Sequence, residues 1–179
     1  QEALTWEATH MLWLDSDMQF PPLAAHQLLA RNKDIVGANY AARRPPHLPA
    51  AIAALSNVTL GTPTVRCYTR EDSSGLEAVE ALGFGCLLMK MRVFDKVKMP
   101  AFATHFDLTE RKWIGEDVDF ALKARAQGLE IFVDHDLSHE VRHAGRWEYT
   151  SEQAVLAGQQ QIIVTPTDAE RDRVAGLVR

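Results

Sequence analysis

Asp15 and Asp17 stand one residue apart in LWLDSDMQFPP, directly after an apolar run and directly before a proline pair. Like charges this close raise each other's pKa, and a desolvated carboxylate is costly unless something positive compensates. A divalent cation supplies that compensation; alternatively, the chain surfaces at Asp15, and Ser16, Asp17 and the prolines are turn chemistry. A second acidic group, Glu116, Asp117 and Asp119 in GEDVD, opens a helical pattern. Acids at a helix start stabilise it by about 0.3–1 kcal/mol through the dipole and capping. The lead-in THFDLTERKWIGED nevertheless reads as a loop delivering Glu116 and Asp117 to a cleft. A carboxylate there can act as general base on a hydroxyl nucleophile, held rigid by the helix start. Asp119 reads as the outward or structural member.

His135, His139 and His143 follow at four-residue spacing in FVDHDLSHEVRHAG. On a helix this spacing would align three zinc ligands, but D-H-D-L-S is turn chemistry and makes a poor helix. Each histidine reads as a structural residue or a ligand. His143 is the favoured ligand, because the glycine in H-A-G lets the backbone approach a bound group closely.

Arg43, Arg44 and His47 lie in ARRPPHLP, and Arg142 and Arg146 in VRHAGR, so cations cluster only locally. A formal net charge of -5 gives no support for a nucleic-acid partner, whereas small cationic pockets suit a phosphate-bearing molecule. Cys67 and Cys86 show no C-x-x-C spacing, so neither a disulfide framework nor a cysteine-ligated zinc site is expected, and a reducing cytoplasm is. The longest apolar stretches fall far short of the roughly 20 residues that span a bilayer. At 179 residues and 46% hydrophobic, one globular domain is expected.

The elements that must position these residues follow from patterning. Residues 1–9 read as a helix end, and HMLWL as a strand covered on both faces. PPLAAHQLLAR reads as a helix to about Arg31, and DIVGANYAA as a second strand. That β-α-β order implies a parallel pair, with Asp15 and Asp17 at the carboxyl end where ligands of open α/β sheets collect. RRPPHLP is a loop. AAIAALS, TVRCYTR and LEAVEALGFGCLLMK are strand material, and VFDKV is a short helix. GEDVDFALKARAQG is the strongest helix, with Val118, Ala121, Leu122 and Ala126 as its apolar or small positions and Gly128 as C-cap. EIFVD is a strand, and residues 151–179 form a helical tail behind a core over residues 1–150.

Taken in order, LWLDSDMQFPP, GFGCLLMK, GEDVDFALKARAQG and HAG resemble glycosyltransferases of the GT-A fold, family 2-like, of the compact bacterial and phage type. The resemblance implies an α/β fold: Rossmann-like, three-layer α/β/α, with a mostly parallel central sheet. It implies inverting transfer of a sugar from a nucleotide-diphosphate sugar to a hydroxyl-bearing acceptor (glycan, lipid or protein). Asp15 and Asp17 would hold Mn²⁺ or Mg²⁺ against the diphosphate, Asp17 the more firmly, with His143, or else His139, completing the metal site. Asp117 would be the base beside Glu116, and Arg43, Arg44 and His47 would assist at the diphosphate or acceptor. Oxygen ligands with one nitrogen suit Mn²⁺ somewhat better than Mg²⁺.

Members of that family carry a longer segment before D-x-D, whereas 14 residues precede Asp15 here. The chain therefore reads as a piece of a larger enzyme or as one lacking much of the nucleotide-binding half. Two further readings stand beside it. One is a non-catalytic nucleotide- or sugar-binding fragment. The other is a phosphatase of the haloacid dehalogenase type, whose D-x-D wants Thr or Val where this chain has Gln19.

Overall fold

Short β-branched and apolar runs such as Ile35–Gly37 and Ile131–Asp134 build the centre of the sheet, where residues buried on both faces favour strand. The computed structural model describes residues 6–56, 63–109, 111–145 and 149–162. The strands are β1 (His10–Leu14), β2 (Met18–Gln19), β3 (Ile35–Gly37), β4 (Ile52–Ala54), β5 (Val65–Arg66), β6 (Leu76–Val79), β7 (Cys86–Lys90), β8 (His105–Asp107), β9 (Lys112–Ile114), β10 (Ile131–Asp134) and β11 (Arg142–His143). The helices are α1 (Ala24–Arg31), α2 (Val93–Lys96), α3 (Glu116–Ala126), α4 (His135–Ser138) and α5 (Ser151–Ile162).

Five strands form the main sheet in the order β1-β7-β3-β10-β6. Among the described residues only β3 and β10 pair in parallel; β1 with β7, β7 with β3 and β10 with β6 are antiparallel. Three two-stranded ribbons, β2-β11, β4-β5 and β8-β9, complete the strand structure of the described residues. The expected three-layer α/β/α fold with a mostly parallel sheet is therefore overturned in favour of a mixed, mostly antiparallel sheet with few helices. The error has a definite origin. β1 and β3 do run in the same direction with α1 between them, but β7 inserts antiparallel between the two strands. A partner drawn from a distant segment leaves no trace in the β-α-β pattern.

β1 is consequently an edge strand, and Leu12 and Leu14 are exposed rather than covered on both faces. Residues 6 and 7 form a turn, so the expected helix end does not reach them; residues 1–5 and 163–179 lie outside the described residues. THFDLTERKWIGED is the β8-β9 hairpin rather than a loop, with Phe106 opposite Trp113. D-H-D-L-S, expected as turn chemistry, is the one-turn helix α4, nucleated by Asp134, whose carboxylate accepts from the Leu137 amide at 3.2 Å.

Two apolar clusters hold the sheet. One gathers Ile35, Leu87, Met89, Ile131 and Val133 with Phe120, Ala121 and Ala124 of α3. The other gathers Val36, Cys86 and Leu88 with Ala24 and Leu28 of α1, Leu137 and Tyr40. Phe120 is central to the first and meets Phe84, Phe94 and Phe102 ring to ring; burying such a side chain contributes about 1.5–3 kcal/mol. The inward face of α3 thus differs from the expected one, since Leu122 and Ala126 are exposed. Asp119 takes an inward place instead. It is buried, accepting from the Ala103 amide at 3.0 Å and pairing with Lys123 at 2.6 Å. Asp119 is thus structural and not outward.

Candidate functional site

The C-terminal ends of β1 and β3 and the N-terminal end of β7 meet at one margin of the sheet, and Gly85 ties them together. Its amide donates to the Tyr40 hydroxyl at 3.0 Å, and its carbonyl accepts from the Asp15 amide at 3.1 Å. A Cβ at Gly83 or Gly85 would lie 2.4 Å or 2.7 Å from Tyr40, so the phenol seats against bare backbone. Burial raises the Tyr40 pKa well above its ordinary value, and the negative charges of Asp15, Asp117 and Asp17 push it in the same direction. The two acidic motifs, far apart in sequence, therefore act on one buried side chain.

Past Asp15 the chain turns back, with the Met18 amide on the Asp15 carbonyl at 3.1 Å, and β2 pairs with β11 in the register His143↔Met18. That ribbon sets His143 beside Asp17. Nε2 of His143 is 3.4 Å from Oδ2 of Asp17, and Nδ1 is 3.0 Å from the Ala41 carbonyl. A carbonyl can only accept, so Nδ1 carries a proton, and Nε2 is the ring nitrogen turned toward Asp17. Arg43 reaches the same Oδ2 at 2.9 Å. The Ala144 amide donates to the Asp17 carbonyl at 2.7 Å, and the Tyr40 ring meets the imidazole edge-on at 5.5 Å.

The donor set suits a hard divalent cation: a carboxylate and an imidazole nitrogen converge, and such ions complete their shells with substrate phosphates and water. Asp15 is exposed, and its carboxylate does not join Asp17 and His143 in a three-donor cluster. Arg44 is exposed, and His47 bonds the Ala42 carbonyl at 3.0 Å and stacks on Tyr149 at 4.9 Å. His139, the other expected ligand, instead bonds the Ser73 carbonyl at 2.9 Å. Arg146 lies outside the described residues.

Glu116 and Asp117 open α3 behind Gly115. Glu116 is exposed, 3.5 Å from the Thr104 hydroxyl. Asp117 accepts from the Val118 amide at 2.7 Å, so part of its role is to serve the helix start. Burial raises the Asp117 pKa and Glu116 adds to this, while its backbone hydrogen bonds and the charge of Arg66 oppose it. A cleft of about 510 Å³ lies beside β11, lined by Thr69, Arg70, His139, Arg142 and Ser151 among others, but not by Asp17 or His143.

Sequence reasoning missed two buried hubs. Asn39 is fully buried: its amide bonds the Ser138 hydroxyl, its Nδ2 the Cys67 carbonyl, and its Oδ1 accepts from the Ala51 amide. Arg31 donates to both oxygens of the fully buried Asp134, at 2.8 Å and 3.0 Å. The signal available was faint: a basic residue ending α1 and an acid closing a strand.

No family model and no curated protein matches this chain. Among solved structures, it is similar to the crystal structure of A197 from STIV, with a TM-score of 0.57 and 16% identity over 85% of this chain and 67% of that one. Identity this low shows a shared fold and nothing of chemistry. Among the described residues, no helix is long and apolar enough to cross a membrane.

Proposed function

We propose that this protein is a metal-dependent glycosyltransferase that moves a sugar from a nucleotide-diphosphate sugar to a hydroxyl acceptor. The observation that carries this reading is the meeting of Asp17, Arg43 and His143 at the sheet margin where Tyr40 also feels Asp15 and Asp117. Asp17 and His143 would hold Mn²⁺ or Mg²⁺, with Asp15 flanking them. A bound divalent ion supplies Lewis-acid neutralisation of the charge that grows on a leaving diphosphate.

The chain's own residues carry the other roles. Arg43 is exposed enough that its pairing with Asp17 is worth only about 0.2–1 kcal/mol, so a diphosphate can draw it away and gain a charge-assisted contact. Asp117 takes the proton of the acceptor hydroxyl, and a carboxylate made more basic by burial is better suited to that transfer. Tyr40 and Gly85 keep the Asp15 backbone fixed. The buried, unpaired thiols of Cys67 and Cys86 support a reducing cytoplasm as the setting, and the net charge of -5 supports a small-molecule donor over nucleic acid.

The test is calorimetric titration of the chain with UDP and GDP, with and without Mn²⁺, followed by turnover of the corresponding nucleotide sugars. Metal-dependent nucleotide binding with release of nucleoside diphosphate is expected. No binding even with metal overturns the proposal; binding without turnover points to the non-catalytic nucleotide-binding reading. Phosphoester hydrolysis lost in Asp15→Asn would support the phosphatase alternative.

A further inference from the structure

Away from that margin, Cys67, Glu77 and His135 form a three-donor cluster whose ligand atoms all lie within 4.8 Å of one another. The fold brings them together from three segments. Cys67 follows β5 directly and is tied to the centre by its amide on the Ala51 carbonyl at 3.1 Å and its carbonyl on Asn39 at 3.0 Å. Glu77 stands opposite Val133 in the β6-β10 pairing, and His135 follows β10 immediately, its amide on the Gly75 carbonyl at 2.9 Å. His135 is 2% exposed and Cys67 3%, whereas the Glu77 side chain is half exposed, so Glu77 is the solvent-facing member of the cluster.

We propose that Cys67, Glu77 and His135 bind a zinc ion, with the fourth position open toward solvent past Glu77. Nε2 of His135 lies 3.0 Å from Oε2 of Glu77. Tetrahedral zinc with ligands near 2.1 Å sets nitrogen and oxygen about 3.4 Å apart, so this pair lies within a few tenths of an ångström of its spacing around the ion, and Glu77 is exposed enough to make that adjustment. The outer contacts of a zinc histidine are already in place. Nδ1 is 2.9 Å from the Thr69 hydroxyl, itself 3.4 Å from Nδ2 of Asn39, and such a second partner orients the ring and selects its tautomer. Thiolate and imidazole favour zinc over magnesium, calcium or manganese. On binding, the Cys67 thiol proton leaves to solvent as the sulfur–zinc bond forms. The ion would join β5, β6 and β10, a staple independent of any transfer chemistry.

The test uses the full chain stripped with a chelator and titrated with Co²⁺, then Zn²⁺. One equivalent of cobalt is expected with a thiolate-to-cobalt charge-transfer band that zinc abolishes. Cys67→Ser should lose the band, Asp17→Ala should keep it, and Glu77→Gln, a near-isosteric change at an exposed side chain, should weaken zinc binding by at least about tenfold. Absence of the band in the unmodified chain, its persistence in Cys67→Ser, or unchanged zinc affinity in Glu77→Gln overturns the proposal. Should Cys67→Ser fail to fold, the Glu77→Gln affinity decides.

Discussion

His143 presents Nε2 to the Asp17 carboxylate at 3.4 Å while its Nδ1 is fixed 3.0 Å from the Ala41 carbonyl. The imidazole is therefore aimed before any ligand arrives. Asp17→Ala and His143→Ala should each abolish Mn²⁺-dependent binding of UDP or GDP in calorimetry, while Asp117→Asn should bind nucleotide as the parent does. Transfer in Asp117→Asn should fall by about 10²–10⁴-fold, the usual contribution of a positioned general base. Retained metal-dependent binding in Asp17→Ala would contradict the ligand assignment.

Burial holds the Asp117 pKa above the ordinary carboxylate range. A folded-state pKa above the unfolded one stabilises the fold below the unfolded value, and that stability is lost as pH rises through the folded pKa. Asn at this position does not titrate. Asp117→Asn should thus be more stable than the parent near neutral pH, with the advantage shrinking as pH falls into the ordinary carboxylate range. Urea midpoints measured across that interval check the sign; an advantage that grows on acidification would refute it.

Asp134 is fully buried and its charge is matched by Arg31, whose own pKa is raised chiefly by hydrogen bonding to Asp134 and then to Asp136. Removing one partner of a buried pair leaves an uncompensated charge at a cost of about 3–5 kcal/mol. Arg31→Ala should lose stability on that scale in denaturant unfolding, far more than Arg43→Ala, whose ion pair is exposed. Equal losses in the two variants would show that Asp134 is compensated by something else.

The buried indole nitrogen of Trp13 has no hydrogen-bond partner among the described residues, and an unsatisfied buried donor costs about 1–3 kcal/mol. Its ring packs on Phe84 and Phe102 at 5.5 Å and 5.2 Å. Trp13→Phe keeps an aromatic ring and removes the orphan donor, so it should stay within about 1 kcal/mol of the parent, whereas Trp13→Ala should lose about 3–5 kcal/mol. Thermal melts of the two variants separate the effects.

Elements carried by local patterning were legible in the sequence. α1 ends at Arg31, the strand Cys86–Lys90 lies within GFGCLLMK, and α3 spans most of GEDVDFALKARAQG. What depended on distant partners was not. HMLWL is apolar enough for a covered strand, yet its neighbour β7 protects only one edge, and nothing local announces that. The face of α3 was misread because Asp119, an acid, is buried by Lys123 and the Ala103 amide, while Leu122 faces water. Within the candidate site, Asp17 and His143 were legible as residue types, but their meeting depends on the β2-β11 ribbon. Cys67, Glu77 and His135 share no regular spacing, since Glu77 and His135 alone are 58 residues apart. Their cluster comes from the register of β6 on β10 together with the backbone ties of Cys67 to Ala51 and Asn39.

The seating of Tyr40 against Gly83 and Gly85 bears on how such a sequence can change over time. A methyl group at either glycine would fall inside the van der Waals radius of the phenol, and a smaller residue at position 40 would leave a hole beside both. Neither side of this contact can drift alone. The ring and the two glycines must be replaced together or kept together, so three positions that touch no substrate in the proposed reaction are bound to one another by shape alone.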